Sequence, residues 1–316
     1  MAKEQAQKSV KTYRTVIGVF VLFLLALIAL YIGFPSLSHD TYINNPNALN
    51  GIATSTEPET PVIPVRQATH VPTPQAVKGI YMTSCVAGTP SLRENLARLV
   101  DETELNSIVI DVKSYDGHLT FMPKDESLKA AAGKGCFVSD MQDFIDSLHA
   151  LGIYVIARVA VFQDALMVDT HPEWAVKKAS ATSTVWRDHK GIPWIDASAK
   201  PYWDYIAAIA RETHDIGVDE INFDYIRFPS DGNMKDIYYP WSGNQNKSLV
   251  MKSFFEFLHN ELGDEMTISA DLFGMTTTNT DDLNIGQVLE YALPNFDYIA
   301  PMVYPSHYPV GFLNFF

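Results

Sequence analysis

The chain has only two cysteines, Cys85 and Cys136. No multi-bridge framework and no CxxC metal site can be built from them, and at most one disulfide can form between them. Basic residues are the minority charge, 23 Lys plus Arg against 37 Asp plus Glu, for a formal net charge of −14. That balance excludes a surface made to grip nucleic acid. The nine histidines show no HxxH or HExxH spacing, which argues against a zinc site, so no metal and no cofactor are expected. No glycine-rich phosphate loop follows any β-rich run, and no fixed-period repeat is visible.

What is present is a long chain, 316 residues that are 47% hydrophobic and 12% aromatic, enough for a large core. Global disorder and collagen-like architecture are excluded. The acidic charge is uneven. Residues 1–76 are nearly balanced, so residues 77–316 carry almost the whole excess.

Residues 15–34, TVIGVFVLFLLALIALYIGF, form about 20 uncharged residues, long enough for a helix to cross a hydrocarbon core of roughly 30 Å. The basic tail 1–14, with Lys3, Lys8, Lys11 and Arg14, predicts a cytoplasmic N-terminus and a C-terminal domain outside the cytoplasm. The reading is a single-pass membrane anchor; the competing one is a cleaved secretory signal. Residues 35–76 hold seven prolines among Ser, Thr and Asn, and predict a disordered Pro/Ser/Thr linker.

From residue 77 onward six β-rich runs alternate with amphipathic stretches, starting near Val77, Ser107, Ile153, Glu220, Thr267 and Asp297. Helices are expected over 91–104, 139–151, 201–215 and 247–262. Strand-helix alternation with continuously apolar strands predicts a parallel sheet covered by helices, an α/β fold that is either doubly wound or a (β/α)8 TIM barrel. Asp111, Arg158, Asp224, Asp271 and Tyr304 stand toward the C-terminal ends of different strands, and the long insertions 162–199 and 229–246 follow strands. Both features favour the barrel. A barrel needs eight strands, so a chain stopping after the sixth reads as truncated, with about two βα units missing.

In Asn222-Phe223-Asp224-Tyr225, period-2 alternation puts Asn222 and Asp224 on one face, and Asp271 stands near the C-terminal end of the next strand, before Leu272-Phe273-Gly274. Adjacent strands lie about 4.8 Å apart, which suits the spacing of about 5–5.5 Å between the carboxyls of a retaining glycosidase better than the roughly 6.5–9.5 Å of an inverting one. The alternative is structural: helix capping, or pairing with Arg158 or Arg227. Asp111 and Lys113 share a face of the second strand, where Asp111 either binds substrate or pairs with Arg158. All five tryptophans fall between residues 174 and 241; Trp194 and Trp241 are candidate platforms for the apolar faces of sugar rings, and Trp203 is assigned to the core. His307 is placed in a turn after strand six, and Asn246-Lys247-Ser248 matches a glycosylation sequon of the kind that arises by chance.

The segments GIYMTS, VIDVKSYDG, YVIARVAVFQD, EINFDYIRFPS, ISADLFG and YIAPMVYPSHY together resemble a bacterial family described as a glycosyl hydrolase domain. That family is similar to the α-amylase and α-galactosidase-like TIM-barrel glycosidases. The resemblance implies cleavage of glycosidic bonds in a polysaccharide or oligosaccharide, with Asp224 as nucleophile and Asp271 as proton donor. Asp111, Lys113, Arg158, Arg227, Tyr304, Trp194 and Trp241 are then substrate-binding candidates. The rival readings are a glycan-binding module without turnover and a metal-dependent polysaccharide deacetylase.

Overall fold

The computed structural model describes residues 67–305. The segment 15–34 and His307 lie outside the described residues, and among those described no helix is long and apolar enough to cross a membrane.

Apolar runs flanked by turn residues form the strands β1 (Gly79–Met82), β2 (Ser107–Lys113), β3 (Tyr154–Ala160), β4 (Lys177–Lys178), β5 (Ala181–Val185), β6 (Glu220–Asp224), β7 (Ile237–Tyr238), β8 (Thr267–Phe273) and β9 (Tyr298–Met302). The helices are α1 (Ser84–Ala87), α2 (Pro90–Asp101), α3 (Met141–Ala150), α4 (Ala165–Thr170), α5 (Lys200–Asp215), α6 (Lys247–Leu262) and α7 (Leu289–Ala292). Local chemistry sets several boundaries. Pro90 opens α2, where a missing N–H costs nothing, and Asn246 accepts the Ser248 N–H at 2.9 Å to cap α6.

The six strands read from the sequence form one parallel sheet in the order β1-β2-β3-β6-β8-β9, curled as a half-barrel. Strands β2, β3 and β6 are buried almost throughout because helices cover one face and the sheet's own curl encloses the other. Among the described residues β1 and β9 do not pair with each other.

The two insertions hold structure that hydrophobic periodicity does not betray. Strands β4 and β5 from the first and β7 from the second make a small antiparallel sheet, Lys177 opposite Tyr238. Buried Asp196 ties the insertions together by accepting the backbone N–H groups of Trp241 (2.8 Å) and Ser242. A disulfide joins Cys85 of α1 to Cys136 in the segment before α3, with Cα atoms 4.6 Å apart.

Residues within the segment expected as linker make specific contacts under the sheet. The Val71 N–H donates to Asp219 at 2.7 Å, and the Thr73 hydroxyl donates to the Tyr154 phenol at 3.1 Å. Pro74 and Gln75 reach the large cavity described next.

A candidate active site on the concave face of the sheet

Period-2 alternation turns Glu220, Asn222 and Asp224 of β6 toward the concave face, and all three line a cavity of about 850 Å³ with Arg158 of β3 and Ser269 and Asp271 of β8. The register sets their heights. Asn222 pairs with Ser269 and Phe223 with Ala270, so one step further Asp224 and Asp271 stand level on neighbouring strands.

Asp224 is held at both oxygens. Its Oδ2 accepts Arg158 Nε at 3.0 Å and Nη2 as well, while its Oδ1 accepts the N–H of Tyr225 at 2.6 Å. Arg158 also donates to Asp111 Oδ1 at 2.5 Å, and the second Asp111 oxygen accepts the Tyr81 hydroxyl. Burial works against the Arg158 charge, but Asp224 and Asp111 outweigh it and hold the guanidinium firmly protonated. Burial, followed by the hydrogen bond to Asp111, likewise pushes the Tyr81 phenol up.

Asp271 has a different environment. Its carboxyl accepts a hydrogen bond from the Asn222 amide at 3.2 Å, and burial first, then the Asp224 charge, pushes its pKa up to about 7. Deeper in the cavity, burial raises Glu220, which accepts the Tyr154 hydroxyl at 3.0 Å. The site thus sets one carboxylate among donors and, beside it, a carboxyl that exchanges its proton near neutral pH, an acid and base arrangement.

A stability measurement can check the Asp271 environment without any substrate. A carboxyl raised from its unfolded value of about 3.9 to about 7 contributes stability that is present below about pH 4 and lost as pH rises through about 7. The thermal midpoint of the wild type is expected to fall relative to Asp271→Asn between pH 4 and 7.5. Parallel curves for the two proteins would contradict the assignment.

The remaining sequence candidates divide. Arg158 and Tyr304 line the cavity with the two aspartates, and Asp111 joins them through Arg158. Lys113 does not. A bulge between Asp111 and Lys113 shifts the pairing with β3, and Lys113 Nζ is fully buried against Asp164 at 2.8 Å and the Ala160 carbonyl at 2.7 Å. Alternation along β2 fails there because the extra residue re-aims the side chain.

Trp194 is also corrected: it is 0% exposed, with its indole N–H on Asp188 at 3.1 Å, because the insertion folds back and pairs Trp194 with Gln163. A wholly buried ring offers no face to a sugar. Trp241 is 39% exposed, but its indole N–H is tied to the Glu173 carbonyl and it is not among the cavity-lining residues. Arg227 packs over Trp194 and bonds to the Phe228 carbonyl, and it is not among the cavity-lining residues. Trp203 is in the core.

Sequence reasoning passed over Glu220, Tyr81, Tyr225 and Tyr298, all of which line the cavity. Glu220 was findable, since it belongs to the same alternating file as Asn222 and Asp224. Among the described residues, no group of three or more His, Cys, Asp or Glu is placed to hold a metal ion.

A family model described as "Putative glycosyl hydrolase domain" matches residues 79–315. A solved structure of a hypothetical protein from Ruminiclostridium thermocellum is 29% identical, with a TM-score of 0.53 over 61% of this chain and 96% of that one. The α-galactosidase from Thermus thermophilus is 13% identical at a TM-score of 0.45 over 72% of this chain and 44% of its own. A family 20 exo-β-N-acetylglucosaminidase from Vibrio harveyi is 13% identical at 0.48, over 72% of this chain and 41% of its own. This chain therefore spans less than half the length of either enzyme. No curated protein matches the chain.

Proposed function

The chain belongs to this glycosyl hydrolase domain family, and from that premise we propose that residues 77–316 are a retaining glycoside hydrolase acting on a polysaccharide or oligosaccharide. The observation that carries the reading is the pair at the C-terminal ends of β6 and β8. Asp224 is oriented by Arg158 and a backbone N–H, and Asp271, level with it on the next strand, carries a pKa of about 7. Neighbouring strands lie about 4.8 Å apart, which favours the short carboxyl separation of about 5–5.5 Å used in double displacement.

In the first step an Asp224 oxygen attacks the anomeric carbon while Asp271 gives its proton to the departing glycosidic oxygen, leaving a glycosyl ester on Asp224. In the second step Asp271, now a carboxylate, takes a proton from water. The resulting hydroxide attacks the same carbon, releasing the sugar and restoring both carboxyls. Arg158 stays protonated throughout and keeps the attacking carboxylate in place. Tyr81, Tyr298 and Tyr304 rim the cavity as half-exposed aromatic surface for sugar C–H faces, a role that Trp194 cannot take.

In this reading the half-barrel is part of a (β/α)8 architecture, residues 15–34 anchor the chain in the membrane, and the catalytic domain lies outside the cytoplasm. The Cys85–Cys136 bridge supports an oxidising compartment. The test is to incubate the full chain with cell-wall and storage glycans and follow the first product by proton NMR. Retention of the anomeric configuration is expected. Inversion would remove the double-displacement mechanism, and binding with no reducing ends released would point to a glycan-binding module.

A further inference from the structure

Tyr225 is an unusual residue in an unusual place. Its φ is +54°, a left-handed conformation that an aromatic residue seldom adopts, and it follows Asp224 directly at the end of β6. The other non-glycine residues with positive φ among those described are Leu283 and Asn284, which sit together in a loop remote in sequence from the strand ends. Strain of this kind persists only where the surroundings over-determine it.

The consequence of that backbone is visible in the hydrogen bonds. The Tyr225 carbonyl still accepts the Phe162 N–H at 3.3 Å, but its own N–H turns to Oδ1 of the preceding Asp224 at 2.6 Å, a charge-assisted bond within one dipeptide. The ring helps hold this geometry. It stands edge-on to buried Trp194, centroids 6.1 Å apart, and lies between two guanidiniums, Arg158 at 5.8 Å and Arg227 at 5.7 Å from its centroid. Arg158 is the same group that holds Oδ2 of Asp224. Half-buried Arg227, which forms no ion pair among the described residues, donates to the Phe228 carbonyl and the Ser230 hydroxyl and backs the ring from the other side.

We propose that Tyr225 is the positioning residue for Asp224: its left-handed backbone aims an N–H at one carboxylate oxygen, and its ring braces the arginine that binds the other. Nothing in the mechanism requires the phenol to touch the reacting atoms, so the residue acts through Asp224 and is not catalytic. The inference rests on the glycosidase reading for its kinetic consequence but not for its geometry, so the two can fail separately.

Three variants of the full chain test it. Tyr225→Phe keeps ring and backbone; Tyr225→Gly keeps the N–H and accepts φ near +54° without strain; Tyr225→Ala keeps neither the ring nor a comfortable left-handed backbone. For hydrolysis, Phe and Gly are each expected within about tenfold of wild type, while Ala loses roughly a hundredfold in kcat with KM nearly unchanged, the scale of a displaced reacting group. Gly falling as far as Ala, or KM rising at constant kcat, would overturn the proposal.

A second measurement needs no turnover. The residue 225 amide proton, bonded to a carboxylate, is expected downfield and slow to exchange in wild type, Phe and Gly, and upfield and fast in Ala and in Asp224→Asn. If wild type hydrolyses nothing yet this pattern holds, the glycosidase reading fails and the positioning role stands. If the amide is insensitive to Asp224→Asn, the positioning role fails whatever the activity.

Discussion

Replacing Asp224 with Asn is expected to lower kcat by at least about a thousandfold while leaving the fold intact, because the amide is isosteric but cannot form the glycosyl ester. Its carbonyl can still accept one of the present hydrogen bonds, so Arg158 retains a partner and Asp111 continues to neutralise it. Asp271→Asn is expected to cost about 10²- to 10⁴-fold, the usual range for a missing general acid, and less with substrates whose leaving group needs no proton. The pH–rate profile separates the two roles. A group with pKa about 7 that must be protonated in the first step makes the rate fall above neutral pH, and that falling limb is expected to vanish in Asp271→Asn. An Asp224→Asn variant with full activity, measured as reducing ends released, would remove the assignment.

The second large effect is one of stability and centres on Lys113 and Asp164. Both side chains are fully buried, with Nζ and Oδ2 2.8 Å apart. Asp164 also accepts the Tyr202 hydroxyl at 3.0 Å and the Met167 N–H at 2.8 Å, which caps α4. The loop after β2 closes so tightly over this carboxylate that a Cβ on Gly117, where φ is +85°, would lie 2.1 Å from Oδ1. Lys113→Met removes the cation and leaves a buried carboxylate uncompensated, a change worth about 3–5 kcal/mol. For a domain of this size that lowers Tm by roughly 10 °C. Lys113→Met/Asp164→Asn is expected to regain much of the loss, since Asn can still cap α4 and leaves no buried charge. A single variant melting like wild type in calorimetry would show that water reaches the pair.

These two cases mark the limit of what pattern can say about side chains. Asp224 and Asp271 were legible because both β6 and β8 keep strict alternation up to their ends, so strand order and register carry the aspartates to one height. Lys113 was misread for the opposite reason. A single extra residue in β2 breaks the alternation after Asp111, and a sequence does not display a bulge. Trp194 was misread because tryptophans gathered in an insertion look like a surface, whereas that insertion folds back against β3 and buries the ring. The small sheet of β4, β5 and β7 was invisible because two of its three strands are two residues long, too short for any period to show.

By itself, the sequence of this protein determined the six parallel strands, their helices and the alternating file of acids, because these depend on local hydrophobic periodicity and on the two-residue repeat of a pleated strand. Tertiary structure alone decided which charges meet. Arg158 bridges Asp111 and Asp224 from the strand between them in the sheet, Lys113 belongs to Asp164 and not to the cavity, and Tyr225 turns back on its neighbour. The physical reason is that electrostatic partners and backbone strain are properties of distances across strands, and those distances exist only once the sheet has curled.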